Sequence, residues 1–408
     1  MADTLKARDA KDVEAAVQWA VAESKALEVV GHGSKRALGR PAQFDATLDL
    51  SDLSGVTLYE PEELVLSARA GTPIAEVEAL VASKGQELAF EPMDYGPLLG
   101  GPTGKGTIGG VIAANLSGPR RLKAGAARDH FLGFSAISGR GETFKSGGRV
   151  VKNVTGYDLC KLMAGSWGTL AAMTDVTVKT LPGAEAEATV LVVGLEDARA
   201  VEAMAAATAC ACDVSGAAHL PAGVAMRASI HIPATGAVTA LRLEGVAPSV
   251  DHRQQTLQAL MKPFGEVALL AGAQSRDLWR GIRDVLPFAV TAPAGRRAVW
   301  RISTAPGNGA KVGHAIAVKA DVELMYDWAG GLVWAALLPS DDGGAAPVRA
   351  AVAAFGGHAT LIRAPAAVRA AVAVFEPQEG PLAALTRRVK EGFDPMGVLG
   401  PGRMWAGV

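Results

Sequence analysis

Cysteine is scarce in this chain of 408 residues. Cys160, Cys210 and Cys212 are too few for a disulfide framework, and their odd number is typical of a reducing compartment. They are also fewer than the four thiolates that ligate a typical iron–sulfur cluster. Cys210 and Cys212 have no second Cys or His cluster near them, so we expect apolar helix residues rather than metal ligands. We therefore expect a cytoplasmic protein without a metal of its own.

Excess charge and long apolar runs are lacking as well. The chain has 40 basic and 41 acidic residues, so nucleic acid is not an expected partner. The first residues, MADTLKARDAKDVEAAV, are charged and do not contain the apolar centre of a signal peptide. Charges interrupt the Ala-rich stretches before the roughly 18 consecutive apolar residues of a membrane helix. We expect any contact with the inner membrane to be made through partner proteins.

The abundant residues indicate a large globular protein. The composition is 49% hydrophobic and 20% charged, and the length exceeds one average domain of about 100 to 200 residues. Mixed helical and strand-like patterns predict the α+β class. Pro182 marks a boundary, after which the chain is rich in alanine until a Pro- and Gly-rich tail. We predict domains at 1–182 and 183–375, with 376–408 as a C-terminal segment.

Local patterns place elements along both domains. Apolar spacing predicts a helix over 12–25 and a buried strand over 27–30, which runs directly into a glycine-rich turn at 31–35, here called loop one. Thr72 and Pro73 predict the N-cap and first residue of a further helix. Strands are also predicted at 64–69, 131–138, 170–180, 189–193, 297–302 and 332–338, and helices at 157–163, 196–209, 250–262 and 346–355.

Three glycine-containing segments carry the functional information. They are 31-GHGSK, 106-GTIGGVIAANLSGPRRLKAGAARD and 152-KNVTGYDLCKLMAGSWGTL. Backbone N–H groups in a concave turn bind phosphate oxygens, and only residues without bulky side chains let the main chain approach closely. We expect the first two segments to supply such free backbone donors. One such turn is common, because plain tight turns also use glycine. The ordered set of three is specific.

With these segments, the chain resembles the vanillyl-alcohol oxidase and D-lactate dehydrogenase type of FAD-binding (PCMH-type) proteins. More narrowly, it resembles the E-subunit family of the bacterial glycolate oxidases. The resemblance covers residues 10–182 and the tail at 393–403. It implies a two-part FAD-binding domain, a second α+β cap domain, and a tail that returns to the FAD-binding domain.

The resemblance also implies which residues hold FAD. Loop one would wrap the diphosphate, the second segment would line the flavin and ribityl region, and the third would lie near the adenine. Arg128 and Asp129 could equally form a surface ion pair worth under about 1 kcal/mol. The implied cofactor residues are Gly31, His32, Gly33, Ser34, Lys35, Gly106, Thr107, Gly109, Gly110, Asn115, Ser117, Gly118, Gly125, Arg128, Asp129, Gly168 and Thr169.

Two departures from the family pattern affect the functional interpretation. His32 lies one place before the histidine through which some members attach FAD covalently, so we expect noncovalent FAD. The His-x-Gly-Asp-Gly-Asn type motif of the dehydrogenating relatives is missing, and the seven histidines are scattered without metal-ligand spacing. The sequence therefore predicts a flavin site without showing a hydroxy-acid site.

Catalytic residues stay unassigned, with three candidates. Arg301 and Asp327 each adjoin a tryptophan, and they would tune a flavin if they faced its ring. Core aromatics beside a snorkelling Arg or a turn Asp explain both equally well. Arg403 in 400-GPGRM resembles the closing Pro-Gly-Arg motif of the family, although Gly400 replaces the more usual Asn.

Three functions are compatible with these observations. In the first, the chain is the FAD subunit of a multi-subunit glycolate oxidase, with a larger flavin subunit and an iron–sulfur subunit as partners. In the second, it is a self-sufficient flavin dehydrogenase or oxidase of another alcohol or hydroxy acid. In the third, FAD is structural and the chain is an assembly module. We favour the first, because it explains both the flavin segments and the missing motif.

Overall fold

The computed structural model describes residues 3–149, 156–232 and 236–408. Its amino-terminal part contains small sheets and short helices that surround the glycine-rich segments. The elements of this part are β1 (Asp3–Lys6), α1 (Ala10–Ala22), β2 (Leu27–Val30), β3 (Ala46–Asp49), β4 (Val56–Glu60), β5 (Val65–Arg69), α2 (Ile74–Ala82), β6 (Gln86–Glu87), α3 (Gly96–Leu99), α4 (Ile108–Ala114), α5 (Arg121–Ala124), α6 (Ala127–His130), β7 (Phe131–Ser138), β8 (Thr143–Gly147), α7 (Leu159–Met163), β9 (Ala171–Lys179) and β10 (Leu181–Pro182).

Two sheets form the framework of this part. A parallel sheet has the order β1-β3-β2, and an antiparallel sheet has the order β4-β5-β9-β7-β8. Helix α1 packs its apolar side, with Val13 and Val17 fully buried, into the core beneath the parallel sheet. Loop one begins where β2 ends, so the edge of the parallel sheet positions it.

An eight-stranded antiparallel sheet dominates the second part, in the order β14-β11-β13-β12-β16-β17-β15-β18. Its interior strands are apolar on both faces because helices and the first part cover them. The elements are β11 (Ala186–Val193), α8 (Asp197–Ala209), β12 (Gly216–Leu220), α9 (Ala222–Ala228), β13 (Val238–Gly245), α10 (Ala247–Met261), β14 (Glu266–Ala271), α11 (Ala273–Arg283), β15 (Ala298–Ser303), α12 (Gly309–Ala317), β16 (Val322–Asp327), β17 (Leu332–Leu337), α13 (Ala345–Phe355), β18 (His358–Arg363), α14 (Ala366–Ala371) and α15 (Gly380–Phe393).

The carboxyl-terminal segment packs against the amino-terminal sheet. Leu27 donates its backbone N–H to the carbonyl of Val398 at 2.7 Å, and Gly400 donates back to Leu27 at 2.9 Å. The buried Lys390 ammonium donates to the carbonyl of Thr169 and to the Asp394 carboxylate, at 2.6 and 2.7 Å. These bonds hold the tail beside β2 and loop one.

A cluster of buried charges joins the two parts. Arg242 of β13 donates two hydrogen bonds to Glu91, at 2.7 and 2.9 Å, and its side chain is almost fully buried. Arg120 pairs with Glu244 at 2.7 Å and with Glu87 at 2.8 Å. Burial acts to raise the pKa of Glu91, but the guanidinium groups of Arg242 and Arg120 hold this pKa at about 2. The carboxylate is therefore ionised and paired across the junction.

The predicted α+β architecture is confirmed, and two local predictions are wrong. Cys210 and Cys212 are not helix residues, because α8 ends at Ala209 and both follow in a turn. Thr72 does not cap α2, because its hydroxyl donates to the carbonyl of Arg69 and accepts from the N–H of Gly55. Pro73 precedes the first residue of that helix rather than starting it. The domain limits at 182 and 375 stay a prediction. Among the described residues, no helix is long and apolar enough to cross a membrane.

Candidate functional site

A groove lies between loop one, helix α4, the turn after α7 and the tail. Ten residues predicted from sequence line it together, although they come from four distant stretches of chain. They are Gly31, His32, Gly33, Ser34, Lys35, Thr107, Gly109, Gly110, Gly168 and Arg403.

Loop one presents backbone donors to this groove. Within the part of the chain that the structure describes, the N–H groups of residues 31–35 donate to no protein acceptor. Gly33 has a φ of +70°, which favours glycine and turns successive N–H groups toward the same side. A turn with several unpaired N–H groups suits an anion such as a diphosphate, because each donor then gains a charge-assisted hydrogen bond. The residues of loop one therefore fit FAD.

Helix α4, which the second segment forms, does not offer the free backbone donors that we expected from it. The N–H groups of Ile108, Gly109 and Gly110 are already bonded, to Thr72, Ala70 and the Thr107 hydroxyl at 2.9, 2.9 and 3.2 Å. The second segment folds into a helix start whose donors its neighbours satisfy. Its contribution to the groove is therefore a close approach of main chain, not donation to phosphate.

The two glycines of α4 have separate roles. A Cβ on Gly109 would lie 2.7 Å from the Cβ of Ala70, so this glycine is required for packing of the helix on the sheet. A Cβ on Gly110 would instead point toward the groove, 3.3 Å from the Lys35 ammonium. Gly110 therefore keeps the groove open, whereas Gly109 holds the helix in place.

Three cations line the groove: Lys35, Arg403 and Arg36, of which Arg36 is paired with Glu28 at 2.6 Å. Lys35 donates to the Ser34 hydroxyl at 3.2 Å, and Arg403 donates from Nη2 to the carbonyl of Lys35 at 3.0 Å. The Nε of Arg403 is buried without a partner among the described residues. Burial, together with the Arg403 charge, lowers the pKa of Lys35 to about 8, against a smaller opposing effect of Asp94. An anionic ligand would stabilise the charged form of Lys35 and offset this cost.

Three further predicted residues line a second cavity that adjoins the first. Asn115 accepts the backbone N–H of Arg128 at 3.0 Å, and Ser117 accepts that of Ala127 at 2.9 Å. The Nε of Arg128 lies 4.0 Å from the Oδ1 of Asp129. Both side chains are half exposed, as a surface ion pair requires. Asn115, Ser117 and Arg128 all belong to the second cavity.

The remaining predicted residues support the site from outside both cavities. Gly106 accepts the N–H of Ile74, Gly118 accepts the indole N–H of Trp328, and Thr169 accepts the Lys390 ammonium. Gly125 has a φ of +87°, and Asp129 accepts the N–H of Ala126 at 2.9 Å. Residues 152–155 of the third segment lie outside the described residues.

The second cavity lies between the amino-terminal part and the eight-stranded sheet, and Ala114 and Trp167 line it as well as the groove. Of the three catalytic candidates from the sequence, Arg301 of β15 lines this second cavity. Asp327 does not line either cavity: its carboxylate accepts the backbone N–H of Trp328 at 2.7 Å, and burial raises its pKa to about 7. Asp327 therefore positions the tryptophan beside it.

Several residues that line the second cavity were not predicted from the sequence. Arg121, Trp328, Tyr95, Trp167 and His358 line it from five separate elements or turns. Trp167 adjoins the predicted Gly168, so proximity to that turn could have indicated it. For the other four, no local pattern distinguishes a cavity residue from a core or surface residue.

The sequence and the fold of this chain are both similar to those of known proteins. The family described as FAD binding domain matches residues 3–147. Glycolate oxidase subunit GlcE of Escherichia coli is 32% identical over 393 residues, which is 96% of this chain and 95% of that protein. Glycolate oxidase subunit GlcD of Bacillus subtilis is 25% identical and aligns with 70% of this chain and 60% of its own length.

The fold is also found among solved structures. Alkyldihydroxyacetonephosphate synthase superposes with a TM-score of 0.73, covering 97% of this chain and 75% of that one at 15% identity. At this identity, the likeness concerns the fold alone. The same fold thus accommodates very different sequences.

Proposed function

This chain belongs to the family of glycolate oxidase subunit GlcE, and from that premise we propose that it is the FAD-binding subunit of a multi-subunit glycolate oxidase. The complex would oxidise glycolate to glyoxylate and pass the electrons to a partner subunit. One observation carries the proposal: the similarity extends over 96% of this chain and 95% of the relative. It therefore includes the second part and the tail as well as the FAD binding domain.

The groove explains how this chain would hold its cofactor. The free N–H groups of loop one and the charges of Lys35 and Arg403 suit the diphosphate. Gly110 leaves room for a close approach of cofactor and main chain. When bound, FAD supplies an acceptor for the two electrons that leave the substrate carbon. We propose noncovalent attachment, since His32 is displaced by one place from the position of the covalent histidine in the family.

Partners complete the electron route. The three cysteines of this chain are too few for the thiolates of a typical cluster, so an iron–sulfur subunit must carry any such centre. A larger flavin subunit would supply the histidine motif that this sequence lacks. The balanced charge and low cysteine content support a cytoplasmic complex, with contact to the inner membrane made through partners.

The test is the colour of the flavin. The chain is purified alone and with its partners, its visible spectrum is recorded, and glycolate is added without oxygen. We expect a yellow protein whose flavin bleaches in the complex. A colourless protein would contradict the FAD assignment. Bleaching in the isolated chain would favour a self-sufficient dehydrogenase, and a flavin that glycolate never reduces would favour a structural role.

A pair of glycine variants links the colour to the groove. Gly110→Val places two methyl groups where the main chain borders the groove, so we expect loss of FAD from a folded protein. Gly223→Val is the matched control, because nothing lies within 4 Å of a Cβ at Gly223 and this residue does not line either cavity among the described residues. Equal FAD content in the two variants would exclude the groove as the site.

A further inference from the structure

Two arginines from different parts of the molecule converge on one tryptophan. The guanidinium carbon of Arg121, at the start of α5, lies 4.2 Å from the centroid of the Trp328 ring. The guanidinium carbon of Arg301, on β15, lies 5.0 Å from the same centroid. We call Arg121, Arg301 and Trp328 the arginine clamp. All three line the second cavity, which shares Ala114 and Trp167 with the cofactor groove.

The charges of the clamp are not neutralised by the protein. Across the described residues, neither Arg121 nor Arg301 forms an ion pair or a side-chain hydrogen bond, whereas Arg120, next in the chain, pairs with three carboxylates. Burial lowers the pKa of both clamp arginines. Arg121 is exposed at the surface, but the guanidinium of Arg301 is largely buried. A buried guanidinium without a counter-ion is costly, so the retention of Arg301 indicates an anionic ligand.

The other ionisable groups facing this cavity leave the excess positive charge in place. Arg128 lies near Asp129, and Glu376, the carboxylate that lines the cavity, pairs with Arg349 and accepts the N–H of Ala359. His358 adds no negative charge. The Tyr95 hydroxyl faces the cavity as a donor, because burial raises its pKa to about 12. The cavity therefore offers donors and cations to a small anion.

The backbone under the clamp is strained. Trp328 and Ala329 have φ values of +53° and +56°, in the left-handed region that non-glycine residues rarely adopt. Two bonds hold the tryptophan there: Asp327 accepts its backbone N–H at 2.7 Å, and Gly118 accepts its indole N–H at 3.0 Å. Strain of this kind persists where surrounding structure enforces it, and it is concentrated at functional sites.

We propose that the arginine clamp binds the carboxylate of a small organic acid, the 2-hydroxy acid substrate, beside the cofactor groove of this chain. The inference rests on the proposed function for the identity of the acid. It goes beyond that function because it gives this subunit its own substrate site, although the histidine motif is missing. Arg301 and Arg121 would hold the carboxylate, and the Trp328 ring would keep both guanidinium groups in position.

The test measures binding of an unreactive acid and does not depend on turnover. Oxalate is titrated into the full chain loaded with FAD, and both the heat of binding and the change in the flavin spectrum are recorded. We expect saturable binding to the unmodified protein and none of neutral glycolamide. Arg301→Met and Arg121→Met should each weaken oxalate binding about tenfold or more, because each removes a charged hydrogen-bond donor. Arg301→Lys should recover part of the loss.

Arg199→Met is the matched control. Arg199 also lies over an aromatic ring, Phe264 at 4.3 Å, but it is half exposed, pairs with Glu202 and faces neither cavity. We expect its oxalate affinity to equal that of the unmodified chain. FAD content and melting temperature are measured for every variant; if Arg301→Met does not fold, the more exposed Arg121→Met decides the question.

The outcomes separate the two proposals. A yellow chain that binds no oxalate, or binds it equally well after both clamp substitutions, would overturn the clamp and leave the FAD subunit intact. An equal loss in Arg199→Met would also overturn it. A colourless chain, or a complex whose flavin glycolate does not bleach, would refute the proposed function instead.

Discussion

Arg403 in the tail donates a hydrogen bond from Nη2 to the backbone carbonyl of Lys35 in loop one, at 3.0 Å and 368 positions away in the sequence. The bond closes the cofactor groove with residues from both ends of the chain. It also explains why Arg403, which resembles the closing motif of the family, lies at the site: the tail runs beside β2 and ends against loop one. The tail thus lines the groove that we propose as the cofactor site.

Replacing Arg403 with Met should weaken FAD binding about tenfold or more. The substitution removes the bond to Lys35 and one of the three cations that line the groove. The dissociation constant is measured from the quenching of flavin fluorescence. Arg388→Met on α15 is the control, since Arg388 is exposed and lines neither cavity. If both variants bind FAD as the unmodified chain does, the role of the tail is wrong.

FAD affinity should fall as the pH rises from about 7 to 9. Burial lowers the pKa of Lys35 to about 8, and the diphosphate of a bound cofactor raises it again, so binding takes up a proton. Between the two pKa values, affinity can fall by up to about tenfold per pH unit. The dissociation constant is measured across this pH range.

Two variants of Lys35 test the cause of this pH dependence. Lys35→Arg keeps a charge that does not titrate below about pH 12, so its affinity should change little over the same range. Lys35→Met should bind FAD about tenfold or more weakly at pH 7. An unchanged pH profile in Lys35→Arg would show that another group titrates.

Gly31→Ala should displace loop one and lower FAD affinity. The new Cβ would lie 2.6 Å from the Thr107 hydroxyl and 2.8 Å from its methyl group. Thr107 cannot move freely, because its hydroxyl caps α4 by accepting the N–H of Gly110. Overpacking of this kind costs roughly 1 to 3 kcal/mol.

Flavin binding and thermal unfolding of Gly31→Ala are compared with those of Gly223→Ala. At Gly223, the added methyl group meets no atom within 4 Å. Normal FAD affinity in Gly31→Ala would mean that loop one does not need to approach Thr107 so closely.

Arg242→Met should lower the free energy of unfolding by about 3 to 5 kcal/mol. It leaves Glu91 buried and without its main partner, in a cluster that joins the two parts of the molecule. Urea unfolding measures the effect. Lys6→Met provides the comparison: Lys6 pairs with Asp52 at 3.4 Å on the surface, where the loss should stay under about 1 kcal/mol. Similar losses would mean that the cluster does not stabilise the junction.

Much of the fold could be predicted from sequence because its elements follow local rules. The helix predicted at 346–355 occurs at Ala345–Phe355, and the strand predicted at 131–138 is Phe131–Ser138. Apolar periodicity and glycine or proline at the ends set these limits. Thr72 failed as a cap because its hydroxyl donates to the carbonyl of Arg69, three residues earlier, and accepts the N–H of Gly55. Gly55 is 17 positions away in the sequence, so the sequence pattern around Thr72 does not reveal this second partner.

The candidate site could be predicted only in part. Loop one could be singled out from the sequence, because glycine spacing after a buried strand is a local property, and it lines the groove. Its contact with FAD stays a prediction. The prediction of free backbone donors in the second segment was wrong, because the hydrogen-bond partners of Gly109 and Gly110 depend on how α4 packs. Arg121, Tyr95 and Trp328 were missed, because each comes from a different element and only the fold brings them together.

The sequence by itself determined the α+β class, the FAD-binding segments and the family, since these depend on composition, periodicity and the order of glycine turns. The tertiary structure alone decided which donors are free, where the tail ends and how Arg121 and Arg301 meet on Trp328. The physical reason is distance along the chain. Hydrogen bonds, burial and unpaired charge depend on neighbours in space, and in this protein such neighbours can lie far apart in the chain, as Lys35 and Arg403 do at a separation of 368 positions.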